Sequence, residues 1–338
     1  MSTLKTCLSL DFADCRSYNG KSTGAGALGL WTHHLKDIEV IDYSDGYYEG
    51  KALKMGAGVE GLEAYIAADA AGLHVVGGTC PSVGIAGGYS QGGGHSPLAS
   101  KHGLGADQIL EWEVVTAEGE LLIANRQQNS DLYWAMSGGG GGVYAVAVSV
   151  KYKAHPDTAF SGFTLNYLTA NTTLDAHYEA INFLHALIPQ LTDKGISVVW
   201  YFEEEYLMIS PITAPEITSD ELREYLKPLE DKITSLGIQF ESKYTDFKGF
   251  LPYYNGTANP DQPIDVGIAQ YGGRLIPTEV LLDEQKNRDL TDAFRSINEN
   301  GGQFIGVGLN VSKAVAGDVD NAVLPAWRSA SIATVLTT

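Results

Sequence analysis

Between Gly77 and Gly93 the chain carries seven glycines, within GGTCPSVGIAGGYSQGGGHS at residues 77–96. Such density means that backbone must come close to something large and flat, or to phosphate, with amides left to donate. Cys80, followed by Pro81 inside this loop, is placed to be presented rather than to fill a core.

The whole chain of 338 residues is long enough for two domains, and its 44% hydrophobic and 19% charged residues are those of a globular protein. Its formal net charge of -19 excludes nucleic acid as a partner, because phosphate binding needs a cationic face, and disfavours anionic membrane surfaces. No run approaches the roughly 18 apolar residues of a membrane span. Cys7, Cys15 and Cys80 form neither a disulfide framework nor a zinc spacing. The opening MSTLKTCLSLDFADC holds no apolar stretch of secretory length, so no leader is expected, although Asn171, Asn255 and Asn310 begin glycosylation sequons.

Periodicity and turn residues predict strands at 27–31, 38–42, 51–55 and 74–76, and a hairpin over 110–122 turning at Glu118-Gly119. A helix at 59–71 would carry Leu62, Tyr65, Ile66 and Ala70 on one face. Ser130 would cap another through Met136, and a strand would follow at 143–153. After a boundary at His155-Pro156-Asp157, strands at 198–202, 206–212, 267–275, 304–311 and 329–338 alternate with helices at 174–187, 221–236 and 283–300. Pro228 should kink or divide the second of these helices. Helices on one face of an antiparallel sheet, an α+β layer, is the expected packing.

Three motifs mislead. Gly24-Ala25-Gly26-Ala27-Leu28-Gly29 matches the dinucleotide fingerprint, but a polar stretch precedes it and no helix follows. Gly20-Lys21-Ser22 ends like a phosphate loop, yet Cys15 stands where that loop needs its first glycine. His33-His34 looks like a metal pair, but neighbours on a strand point to opposite faces. The glycine run 138–142 reads as a close backbone crossing beside a cofactor, without chemistry of its own.

The Cys80 string, continued by KHGLGADQILEWEVVTAEGE at 101–120, resembles the flavin-attachment segment of berberine-bridge-enzyme-like FAD-linked oxidoreductases. These belong to the vanillyl-alcohol-oxidase superfamily with a PCMH-type FAD-binding domain, and fungal members are the most similar. The resemblance covers nearly the whole chain, including 20–36 and Tyr271-Gly272-Gly273-Arg274-Leu275. It implies FAD as cofactor, joined to Cys80 by a thioether. The implied cofactor-binding set is Gly77, Gly78, Thr79, Cys80, Val83, Gly84, Gly87, Gly88, Gly93, His95, Gly142 and Val143, with Asp131–Trp134 as scaffold. His95 is equally suited to bonding cofactor or backbone. Tyr201, Glu203 and Tyr271 fall on strands that face the flavin in that architecture, or are plain sheet surface.

The implied division is an FAD-binding domain over 1–155, lacking its N-terminal part, and an antiparallel-sheet substrate domain backed by helices over 156–338, lacking a closing segment. The implied reaction passes hydride from a small-molecule alcohol, amine or activated C–H to anchored flavin, which dioxygen reoxidises. Two positions depart from the family pattern: Arg16 stands where a second anchoring His is expected, and Pro277 where a catalytic Glu lies in some members. No catalytic base carries over. The competing expectation is a truncated, inactive remnant with weak or no FAD binding.

Overall fold

Leu110, Trp112 and Val114 alternate with Glu111 and Glu113, and the strand they form buries the first set and leaves the glutamates on its outer face. The computed structural model describes residues 25–26, 29–257 and 271–337. In chain order its first region holds β1 (Ile38–Ser44), β2 (Glu49–Gly56), α1 (Gly61–Ala70), β3 (Leu73–His74), α2 (Ala99–His102), β4 (Ile109–Val115), β5 (Leu121–Asn125), α3 (Ser130–Met136), β6 (Val146–Lys153) and β7 (His155–Pro156). Five of these strands make one sheet in the order β1-β2-β6-β4-β5, every pair antiparallel. Strands β3 and β7 pair separately.

The second region holds β8 (Phe160–Leu168), α4 (Leu174–Thr192), β9 (Ser197–Phe202), β10 (Tyr206–Pro215), α5 (Ser219–Ser235), β11 (Glu241–Phe247), α6 (Phe250–Thr257), β12 (Tyr271–Gly272), β13 (Leu275–Pro277), α7 (Thr278–Leu282), α8 (Glu284–Asn298), β14 (Gln303–Gly308), α9 (Lys313–Ala316) and β15 (Ala330–Thr337). Its sheet runs β11-β8-β10-β9-β14-β15-β12, with β13 also on β15. One face buries Trp200, Phe202, Leu207, Ile209 and Phe304 against Ile181, Leu184 and Ile188 of α4 and Leu222 and Leu226 of α5. The architecture is α+β, as expected.

Several local expectations shift. The expected strand at 27–31 has no strand pairing at residues 29–31, and residues 27–28 lie outside the described part, as do residues 267–270 of the strand expected at 267–275. Helix α1 turns Gly61, Ala64, Tyr65 and Ala68 inward and leaves Ile66 52% exposed, because the Glu60–Glu63 capping box sets its start. Asn129, in left-handed conformation, caps α3 in place of Ser130. Helix α5 runs unbroken through Pro228. Proline removes the donor to the Glu224 carbonyl, and both residues lie on the exposed face, where that carbonyl is open to solvent.

A third cluster joins the two sheets: Ala99, Leu104 and Ala106 pack on Val307, Leu309, Val311 and Val323. At its edge Asp107, with no exposed surface, accepts both Nη atoms of Arg328 at 2.8 and 2.7 Å, Asn321 at 2.8 Å and the Leu104 amide at 2.8 Å. Removing the guanidinium strands a buried carboxylate, so Arg328→Ala should cost about 3–5 kcal/mol in urea unfolding. Lys227→Ala, which breaks the exposed Lys227–Asp231 pair, should be close to neutral.

Histidines make up a second buried polar group. His74 and His102 approach at 3.0 Å between Nε2 atoms, and His102 stacks on His155 at 3.8 Å. Asp157, Gln108, Lys101 and Lys153 surround them. Burial, then the neighbouring imidazoles, pushes His102 down to about 2 and His155 to about 3. Burial alone takes His185 to about 3, inside a cage of Trp200, Phe202, Phe294 and Phe304 where neither ring nitrogen has a partner. Above the ordinary histidine pKa of about 6.5 these rings are neutral folded or unfolded, and pH is without effect through them. Below it the unfolded chain takes up protons that the folded one refuses, so stability falls as pH falls, by up to ~1.4 kcal/mol per pH unit for each ring. Urea midpoints should therefore drop between pH 7 and pH 5, and His185→Phe should flatten that drop while sparing stability at pH 8.

Candidate functional site

Strand β3 ends at His74, and Val75 and Val76, both fully buried, carry the chain into the glycine loop. Gly77 lies against the Tyr65 hydroxyl, where any Cβ would collide with it. That hydroxyl donates to the Gly78 carbonyl at 2.6 Å, and Tyr254 of α6 donates to the Thr79 carbonyl at 2.7 Å. The Val83 and Pro81 carbonyls accept the Gly61 and Leu62 amides at 2.7 and 3.0 Å, so the turn from Cys80 to Val83 caps the start of α1. Cys80 at its apex is partly exposed and carries no disulfide among the described residues.

Beyond the turn, residues 85–89 form a single wide helical turn whose Ala86 carbonyl accepts the Gln91 side chain at 2.9 Å. Gln91 also reaches the glycine run: its carbonyl accepts the Gly140 amide at 2.8 Å and its Oε1 the Gly142 amide at 3.2 Å. The run itself begins with a close crossing, because Gly138, at φ 103°, presses on Val323. Gly77, Gly78, Thr79, Cys80, Val83, Gly84, Gly87, Gly88 and Gly93 thus share one loop, and Gln91 brings Gly142 to it. His95 is exposed, and its backbone carbonyl accepts the Tyr89 hydroxyl at 2.9 Å.

The glycines divide by physical cause. Gly77 and Gly94 make room for the rings of Tyr65 and Tyr89. Gly93, at φ 115°, has open space where a Cβ would stand. Val143 and Tyr144, 65% and 44% exposed, extend an apolar surface from the run that Gln91 ties to the loop. Glycine backbone bordered by an exposed apolar shelf fits a large, flat dinucleotide such as FAD.

Across from the loop stands β9. Paired residues share a sheet face, so Tyr201 projects with Met208 and Ile305, and Ile305 with Val335, on the face opposite the helices. Burial first, and Cys80 second, pushes the Tyr201 and Tyr254 hydroxyls above their ordinary range, so both stay protonated at neutral pH. Glu203 accepts the Tyr206 hydroxyl at 3.2 Å, Tyr271 is exposed on β12, and Pro277 ends β13 against Ala330 with no ionisable group to offer. His33 and His34 make no metal cluster among the described residues. Arg16 lies outside them. Tyr65, Tyr254 and Gln91 were not foreseen: the spacing between Tyr254 and Thr79, 175 residues, leaves no trace in a local pattern.

The FAD binding domain family model matches residues 14–125. FAD-linked oxidoreductase patO of Aspergillus clavatus is 45% identical over 321 residues, 95% of this chain and 56% of its own length. FAD-linked oxidoreductase sthB of Phaeosphaeria nodorum is 44% identical over 244 residues, 72% of this chain and 78% of its own. Among solved structures, the VAO-type flavoprotein MtVAO615 of Myceliophthora thermophila C1 superposes with a TM-score of 0.87 at 38% identity, over 94% of this chain and 58% of that one. Berberine bridge enzyme of Eschscholzia californica, at TM-score 0.72 and 18% identity, shares the fold. The chain spans just over half the length of patO. With the glycine loop, the opposed sheet and these relatives together, the chain belongs to the FAD-linked oxidoreductases of the vanillyl-alcohol-oxidase type.

Proposed function

We propose that this chain holds FAD between the 77–96 loop and the 138–143 run, with Cys80 as covalent anchor, and oxidises a small neutral molecule at the face of β9. The observation that carries the reading is Cys80 itself: a partly exposed thiol on a turn tied down by two tyrosine hydroxyls. Bound there, FAD accepts hydride from an alcohol, amine or activated C–H and returns the electrons to dioxygen.

The chain's own residues orient and desolvate. Amides along the 77–93 loop and at Gly93 and Gly142 border the cofactor, and Val83, Gly84, Gly87 and Gly88 line the same loop. Val143 covers a flat ring by apolar contact. Ile305 and Val335 beside Tyr201 form an apolar floor, which suits an uncharged substrate.

Protein purified from the full chain and precipitated with acid should carry yellow flavin in the pellet. Cys80→Ala should release at least nine-tenths of that colour to the supernatant. Flavin still fixed in Cys80→Ala overturns the anchor assignment, and colourless protein throughout favours the inactive remnant.

A further inference from the structure

Two hydroxyls from elements far apart in sequence hold the backbone that leads into Cys80. A trans peptide keeps its N–H antiparallel to its C=O. With the Gly78 carbonyl turned to Tyr65 at 2.6 Å and the Thr79 carbonyl to Tyr254 at 2.7 Å, the Thr79 and Cys80 amides are both directed away from the tyrosines. Thr79 itself is exposed. The two rings also touch each other edge to face at 5.0 Å, and Tyr65 meets Phe250 at 5.1 Å, so α6 must be docked on α1 before either plane is fixed. Following Gly77 and Gly78, whose backbones are the least restricted of any residue, this stretch has the most conformational freedom to lose. Both rings are almost wholly buried, and their hydroxyls end on this one loop.

We propose that Tyr65 and Tyr254 are positioning residues for covalent attachment at Cys80, aligning its sulfur with the flavin ring by holding two successive peptide planes. The proposal rests on Cys80 as the anchor. In the attachment, a bond forms between Sγ and a ring carbon, the thiol hydrogen and a ring hydrogen leave as protons, and the displaced electron pair passes through the ring to dioxygen. Neither tyrosine takes part in that exchange. Each removes disorder from the nucleophile, and a sulfur misplaced by an ångström reacts far more slowly with a fixed partner.

The test separates alignment from access. Full-length chain produced under riboflavin depletion is mixed with FAD in air, and acid-stable flavin is followed with time. In parallel, iodoacetamide labelling of Cys80 is timed by peptide mass spectrometry without FAD. Tyr254→Phe and Tyr65→Phe should each slow attachment about tenfold while labelling stays equal or becomes faster. Tyr178→Phe, which deletes a hydroxyl bonded to Asn298 in the other core, should match wild type in both assays. Wild-type rates of attachment in Tyr254→Phe overturn the proposal and leave the anchor standing. Attachment and labelling falling together in Tyr254→Phe also overturn it, because the thiol has then been hidden rather than misaligned. No acid-stable flavin in wild type overturns both readings. If Tyr65→Phe fails to fold, Tyr254→Phe decides.

Discussion

A carboxylate with no exposed surface must be fully paired, and the way Asp107 meets that demand holds the molecule together. Arg328 supplies a two-pronged guanidinium, Asn321 a side-chain amide, and Leu104 a backbone amide. Arg328 then spends a further donor on the Val311 carbonyl at 3.0 Å. The glycine loop, which ends in the turn containing Asp107, is thereby seated on the segment between β14 and β15. Gly93 and Gly94 accept the Ala106 and Gly105 amides through their carbonyls, so this seating reaches back into the loop. Asn321 is followed by Val323, on which Gly138 presses, and the second glycine run is set by the same anchor.

Around that pairing, four buried tyrosines are donors with assigned targets. Tyr65, Tyr89, Tyr133 and Tyr254 each give a hydroxyl to a backbone carbonyl, of Gly78, His95, Ile109 and Thr79. A phenol suits this work because its ring fills core volume while its one polar atom reaches past it. Burial raises the pKa of each, so each remains a donor throughout the neutral range. His185 is the contrary case, a polar ring among aromatics with nothing to bond, and it exposes the fold to acid.

Much of the site was legible because its chemistry is local. The Gly77–Asp107 string carries its own turn, thiol and glycines in one stretch, and the family follows from it. The motifs at 20–29 are set aside on local context as well, since a polar stretch precedes them and no helical pattern follows in the sequence. Strand and helix positions followed from periodicity at β4, β9, β15, α4 and α8. Helix α1 buries Ala64, Tyr65 and Ala68 and leaves Ile66 outside, and α5 tolerated Pro228 because the orphaned Glu224 carbonyl lies on the exposed face.

The sequence by itself determined the family, the cofactor, the α+β class and the loop on which Cys80 is presented, because each depends on residues within a few tens of positions of one another. Only the tertiary structure decided which glycines serve packing, which tyrosines hold the loop, and which sheet face opposes the thiol. Tyr254 lies 175 positions from Thr79 and Arg328 221 from Asp107, and no periodicity connects residues so distant. Their partnership arises because a buried carbonyl or carboxylate must find a donor, and only the folded chain decides which donors come within reach.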